Sequence, residues 1–235
     1  RRLIQAIPSI IGIIVVTFLL TRALPGDPAA YFAGPAADPQ SIAEIRVALG
    51  LDRSLPEQFW LYLGDLAHGN LGNSISTGRP VVEELATRLP ASLELTLAAL
   101  LFAVGTALPL GILAATRPNS WIDHLCRVIV TAGVSLPVFF TGLFFVYVFY
   151  YLLDIAPSPI GRIDIYFIAP AHVTGFYLID SLLAGDLETF AAAFAQLILP
   201  AITMGAFVLA PLARMTRAAM LQALGSDYIR TAQAS

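Results

Sequence analysis

The chain has no lysine, one cysteine and few charges of either sign. All thirteen of its basic residues are arginine, a bias that carries no mechanism by itself. The lone thiol, Cys126, excludes an intramolecular disulfide, and no C-x-x-C spacing surrounds it that would suit a metal. Charged residues make up 12% of the 235 residues, too few for a solvated surface of ordinary composition. No H-E-x-x-H, G-x-S-x-G or G-x-x-x-x-G-K-[ST] pattern occurs, so nothing points to a zinc hydrolase, a serine hydrolase or a nucleotide-binding loop. The glycine-rich run Gly69–Ser74 has no strand before it and reads as a turn.

What the chain has in quantity is apolar residues, at 57% of the total with a mean hydropathy of +0.78. This is the composition of a membrane protein. Leu3–Leu20 is uncharged and as a helix would span about 27 Å, close to the hydrocarbon thickness of about 30 Å. No A-x-A site follows it before Pro25, so it reads as a span and not as a cleaved signal. Further spans are expected over 93–115, 128–153 and 190–213. Gly105, Pro109 and Gly111 fall within the second, and Pro200, Gly205 and Pro211 within the fourth, which suits helices packed inside a bundle. The expected fold class is therefore all-α, a polytopic membrane helix bundle.

Segment 165–184 is apolar enough to suggest a further span but contains Pro170, His172 and Asp180. Charge decides against it. With four spans and the N-terminus inside, the inner segments hold Arg1, Arg2, Arg117, Arg127, Arg214, Arg217 and Arg230 against Asp123 and Asp227. The outer segments hold six arginines against thirteen acids, so arginine is enriched on the inner side, as the positive-inside rule requires. A crossing at 165–184 would carry Arg214, Arg217 and Arg230 to the other side, and the segment is read as an external loop.

Three regions follow: a first span over 1–22, an external subdomain over 23–92, and a core over 93–235 with three spans and a polar segment at about 225–235. Within the subdomain, Ile42, Ile45 and Leu49 share one face of an amphipathic helix ended by Gly50, and 56–66 forms a second. Packing of these helices against the spans is preferred to direct contact with a substrate.

Candidate chemistry is sparse. His68, His124 and His172 all lie outside the apolar runs, and Glu94 is the single acid within the four spans, one residue from a boundary. A membrane hydrolase would need a nucleophile and base at depth, and an ion-coupled transporter an acid at mid-membrane. Glu94 reads as an interfacial carboxylate. A transporter whose energy comes from elsewhere remains, with a stand-alone channel or ion-coupled secondary transporter as the alternative.

Several stretches occur in a specific order: LPGDPA from Leu24, LGLD from Leu49, GNLGNS from Gly69, RLPASLELTL from Arg88, GFYLIDSLLAG from Gly175, LILPAIT from Leu197 and ARMTRAAMLQALGSDYIRTAQA from Ala213. Over its whole length the chain resembles the permease subunit of bacterial dipeptide and oligopeptide ABC importers, including the nickel and glutathione permeases. The resemblance implies a six-span subunit of the inner, cytoplasmic membrane, whose N-terminus the arginine distribution places in the cytoplasm. On that resemblance it would pair with a homologous second permease, two ATP-binding subunits and an external substrate-binding protein, with no part for nucleic acid. The resemblance also implies that the subunit is not an enzyme and holds no cofactor, with ATP and magnesium bound by the partner subunits.

The resemblance further implies that Asp227, Tyr228, Arg230, Thr231 and Ala232 open a cytoplasmic coupling loop of the EAA type. Its glycine and the last two spans are expected beyond Ser235, and the natural start upstream of Arg1. Family members read R-T-A-R-A-K-G there, whereas this chain has Gln233 and Ser235 in place of two cations, and Gln196 where histidine is common. For the translocation pathway the candidates are Ser135 and Pro137 in the third span and Thr203 and Met204 in the fourth. Without the resemblance, the segment after Arg217 reads equally as a coupling helix or as an anchor on anionic headgroups.

Overall fold

The computed structural model describes residues 2–23, 26–34, 36–74, 76–226 and 229. The chain divides into two compact units, Arg1–Ala86 and Thr87–Ser235.

In the first unit, α1 (Arg2–Ala23) is followed by three short helices, α2 (Pro28–Ala33), α3 (Pro39–Ala48) and α4 (Leu55–Ala67). The sequence marks each start. Asp27 accepts from the Ala29 amide and Asp38 from the Ser41 amide, each with proline at the first helical position, and Glu57 reaches back to the Ser54 amide ahead of α4. Phe18 of α1 is buried with its ring centroid 5.1 Å from Phe59 and 5.8 Å from Tyr62 of α4. Arg22 donates to Gln58 at 2.7 Å, and Gln58 in turn donates to the Arg53 carbonyl. The expected amphipathic helices at 39–51 and 56–66 are thus present as α3 and α4. Leu49, expected on the packed face of the first, is 43% exposed.

The second unit is built on two long helices, α5 (Val81–Thr116), which starts within the first unit, and α9 (Leu187–Leu224). Small residues line the buried face of α5 at Ala99, Ala103, Ala107 and Gly111, and of α9 at Ala201, Gly205, Ala210 and Ala213. Such stripes let helix backbones approach closely where no water drives association. Gly205 lies against Ala99 and Phe102, and Gly111 against Ala213 and Thr216, so the two helices run side by side in the same direction. Ala107, Val130, Leu209 and Ala210 form the buried centre between them.

Between these helices run α6 (Trp121–Ser135), α7 (Val138–Phe145), a π-helical turn (Val146–Leu152) and, after a loop, α8 (Tyr177–Leu183). The span expected over 128–153 as one helix is interrupted. Leu136 is extended at φ −109°, ψ 141° ahead of Pro137, because the proline ring disfavours helical backbone in the residue before it. The broken rod still follows α9 throughout, in the opposite direction. Asp123 meets Arg217, Val130 packs with Leu209 and Ala210, Gly142 abuts Thr203, and the Ser158 carbonyl receives Gln196. From Arg217 to Gln196 is about 31 Å along α9 at about 1.5 Å per residue, the thickness of a bilayer core.

Three helices among the described residues are long and apolar enough to cross a membrane: Gln5–Arg22, Val81–Thr116 and Leu187–Leu224. Segment 165–184 contributes only the seven-residue α8. The protein is an all-helical membrane bundle.

Candidate functional site

The charged groups described in the second unit collect at its two ends, with a largely apolar bundle between them. At one end Glu94, on α5, accepts from Arg162 at 2.7 Å through one carboxylate oxygen and from the Leu178 amide at 2.9 Å through the other. Arg162 also donates to the Gly175 carbonyl at 3.0 Å, and its guanidinium lies 3.7 Å from the centre of the Tyr177 ring. This cation–π contact holds the loop at Arg162 and α8 in one register. Gly175, at φ +82°, is left-handed, and a side chain there would run into Pro90.

Asp180, in α8, folds the preceding loop onto itself. Its carboxylate accepts from the amides of Val173, Thr174 and Gly175 and from the Thr174 hydroxyl at 2.7 Å. Burial pushes the carboxyl pKa up, but the bonds from Thr174, Gly175 and Val173 outweigh it and hold the group down at about 2, below its ordinary 3.8. It is therefore ionised near neutral pH.

Beneath this cap lies a cavity of about 410 Å³ among Gly142, Val146, Gln196, Thr203 and Met204 and the loop at Pro157–Pro159. Thr203 and Met204, both candidates for a pathway, are thus together at one cavity. Thr203 donates its hydroxyl to the Leu199 carbonyl within α9, which satisfies the hydroxyl proton within an apolar helix. Ser135 and Pro137 lie elsewhere, at the helix break, with the Ser135 hydroxyl bonded to the Thr131 carbonyl at 2.7 Å. Gln196 ties the loop down through Nε2, donating to the carbonyls of Ser158 and Ile160. Its Oε1 is buried with no hydrogen-bond partner among the described residues.

At the opposite end Asp123, wholly buried, receives both Nε and Nη2 of Arg217 at 2.9 Å, Nη2 of Arg127 at 3.0 Å and the Asn119 amide at 3.1 Å. Ser120 caps α6 through the Asp123 amide. The forked bond from Arg217 fixes α9 to the start of α6 in both distance and orientation.

Sequence reading missed these partnerships for a simple reason. Glu94 and Arg162 are 68 residues apart and Asp123 and Arg217 are 94, and no local spacing relates them. The available signal was the rarity of charge near apolar runs. Asp227, Tyr228, Arg230, Thr231 and Ala232 lie outside the described residues. Among the described residues, no group of His, Cys, Asp and Glu is placed to hold a metal.

An apolar bundle of long helices with ionic clasps at both ends and, among the described residues, no reactive constellation between them is suited to spanning a membrane. The chain belongs to the binding-protein-dependent transport system inner membrane component family, whose model matches residues 107–235, with the N-terminal model of the same kind of component matching residues 1–96. It is thus an inner-membrane component, as the resemblance implied. Over 95% of its length it is 49% identical to the probable D,D-dipeptide transport system permease protein of Escherichia coli, covering 66% of that protein. Over its full length it is 45% identical to the di/tripeptide transport system permease protein of Pseudomonas aeruginosa, covering 69% of it. The glutathione transport system permease protein of Shigella flexneri is 37% identical over the full chain, with 67% covered. The chain spans about two thirds of the length of these curated relatives.

Proposed function

We propose that the chain is the permease subunit of an ATP-driven importer that moves di- or oligopeptides, or a related small solute, across the cytoplasmic membrane by alternating access. The observation that carries this reading is similarity along the whole chain to permeases named for peptides and for glutathione. A bundle with its charges confined to the two ends is in keeping with it, because an ion-coupled carrier would place an acid at depth. The chain itself hydrolyses nothing. Two ATP-binding partners hold ATP and magnesium, a homologous second permease completes the pathway, and an external binding protein delivers the solute.

On this reading the chain crosses the membrane four times. The fourth crossing to be counted is the broken rod α6–α7, and its antiparallel course along about 31 Å of α9 supports it. The arginine excess on one side supports an N-terminus in the cytoplasm. The organisation is then a first span over 1–22, an external subdomain over 23–92, and a core with spans near 93–115, 128–153 and 190–213. Asp227, Tyr228, Arg230, Thr231 and Ala232, in the segment at about 225–235, engage the ATP-binding partner. Thr203 and Met204, with Ser135 and Pro137 at the helix break, border the solute's route.

The test uses the full-length protein with its partners. Arg230→Glu is expected to weaken co-purification of the ATP-binding subunit and to abolish solute-stimulated ATP hydrolysis. Unchanged assembly and stimulation would overturn the coupling assignment. Solute flux through the permease alone in liposomes, with no ATP-binding subunit present, would replace the importer with a channel or ion-coupled carrier.

A further inference from the structure

A second cavity, of about 340 Å³, opens between α5, α6 and α9 at the end of the bundle that holds Asp123. Its walls are apolar, formed by Leu110, Val130 and Ala213, and its rim carries Arg127, Arg214 and Arg217. Three guanidiniums therefore gather beside a single carboxylate, Asp123. Arg127 and Arg217 are turned toward Asp123, while Arg214 has no hydrogen bond or ion pair among the described residues. Arg217 spends two of its five N–H groups on Asp123 and keeps others for a further acceptor. Arg214 and Arg217 stand three apart on α9, the spacing of neighbours on one helix face.

The chemistry of the occupant follows from this pairing of charge and grease. An inorganic anion would have no use for the apolar wall, and an apolar segment would leave Arg214 unanswered. Next to the cavity, Leu125, Val128 and Ile129 of α6 are exposed, so the wall continues onto an outer apolar face. A diacyl phosphate ester satisfies both halves, with its phosphate on the arginines and a chain along α6. Basic pockets between membrane helices bind anionic headgroups in this way.

We propose that this cavity is a binding site for an anionic phospholipid, with Arg214 as its main phosphate contact and Arg127 and Arg217 completing the cradle. The lipid joins α6 to α9 beside Asp123 and reinforces the clasp there. The inference goes beyond the transport reading and is independent of the solute carried, since it needs only a membrane setting.

The intact transporter, purified in mild detergent, is titrated with phosphatidylglycerol or with phosphatidylcholine of the same chains, and bound lipid is counted by native mass spectrometry. Phosphatidylglycerol is expected to be retained over phosphatidylcholine. Arg214→Gln is expected to weaken it about fivefold, the worth of one arginine near an anionic surface, with Arg214→Lys restoring most of the loss. Ala218 of α9 also lines the cavity, and Ala218→Leu, which fills it without changing charge, is expected to weaken binding as well, while Arg79→Gln in the other unit leaves it unchanged. Equal retention of the two lipids, or unchanged affinity in both Arg214→Gln and Ala218→Leu, overturns the proposal. Displacement of the lipid by millimolar inorganic phosphate would make this a free-anion site. Loss of the ATP-binding subunit in Arg214→Gln with lipid retention unchanged would assign the face to that soluble partner.

Discussion

Asp180 is 2% exposed, yet burial does not neutralise it, because three backbone amides and a hydroxyl converge on its carboxylate. Those donors belong to consecutive residues 173–175, so one charge fixes the path of a loop that has no regular structure of its own. A carboxyl with a depressed folded pKa stabilises above its unfolded value and loses that stabilisation as pH falls through the folded one. Here the window runs from 3.8 down to about 2. Asp180→Asn keeps the shape but removes the charge, and its amide nitrogen cannot accept. Its melting midpoint near neutral pH is expected to fall by on the order of 5 °C, with the gap to the unmodified protein closing between about pH 4 and pH 2. Thermal unfolding of the detergent-solubilised protein followed by intrinsic fluorescence measures both, and a gap that does not change with pH would refute the charge-based account.

At the scale of elements, α5 and α9 owe their close parallel packing to two glycines. A Cβ on Gly111 would sit 2.7 Å from Thr216 Cβ and 2.9 Å from the Ala213 carbonyl oxygen, and one on Gly205 would sit 2.7 Å from the Ala99 carbonyl oxygen. Backbone oxygens cannot swing aside, so Gly111→Ala and Gly205→Ala must push the helices apart, at a cost of about 1–3 kcal/mol each. Gly105 is the matched control, since it lies in the same helix with nothing within 4 Å of its added Cβ. Gly105→Ala is expected to be neutral or to stabilise by up to about 1 kcal/mol. Denaturant titration in mixed micelles separates the two classes, and equal effects at all three positions would show that close approach is not what these glycines provide. Composition already placed glycine and proline in the spans and so foretold packed helices, whereas Asp27, Asp38 and Asp186, which cap α2, α3 and α9, were not singled out from the sequence. The break at Leu136 was hidden although Pro137 was in plain view. Apolar residues continue on both sides of it, and hydropathy averages over backbone geometry. The clasps Glu94–Arg162 and Asp123–Arg217 were hidden for the other reason, that pairing across the fold leaves no mark in local spacing.

For the whole molecule the register of α9 constrains the topology. The parallel course of α5 and α9 means that the chain between them returns across the bundle an odd number of times, and α6–α7 supplies one return by running antiparallel to α9. A crossing at 165–184 would make the count even, and the seven residues of α8 cover only about 10 Å. Residues on either side of that segment should therefore face the same compartment. Cys126 is the sole thiol and is buried, so Cys126→Ser gives a background on which Tyr166→Cys, Leu187→Cys and His124→Cys can be labelled singly in sealed vesicles. Tyr166 and Leu187 are 88% and 69% exposed, and both are expected to react with an impermeant maleimide from one side and His124→Cys from the other. With the inner side enriched in arginine, His124→Cys should react only in inside-out vesicles. Labelling of Leu187→Cys from the side of His124→Cys would require a crossing between 166 and 187 and would overturn the four-span reading. If all three labelled in the expected pattern but from inverted faces, the order of crossings would stand and the cytoplasmic N-terminus would fall, because the helix register relates the ends to one another while the arginine excess alone assigns them to compartments.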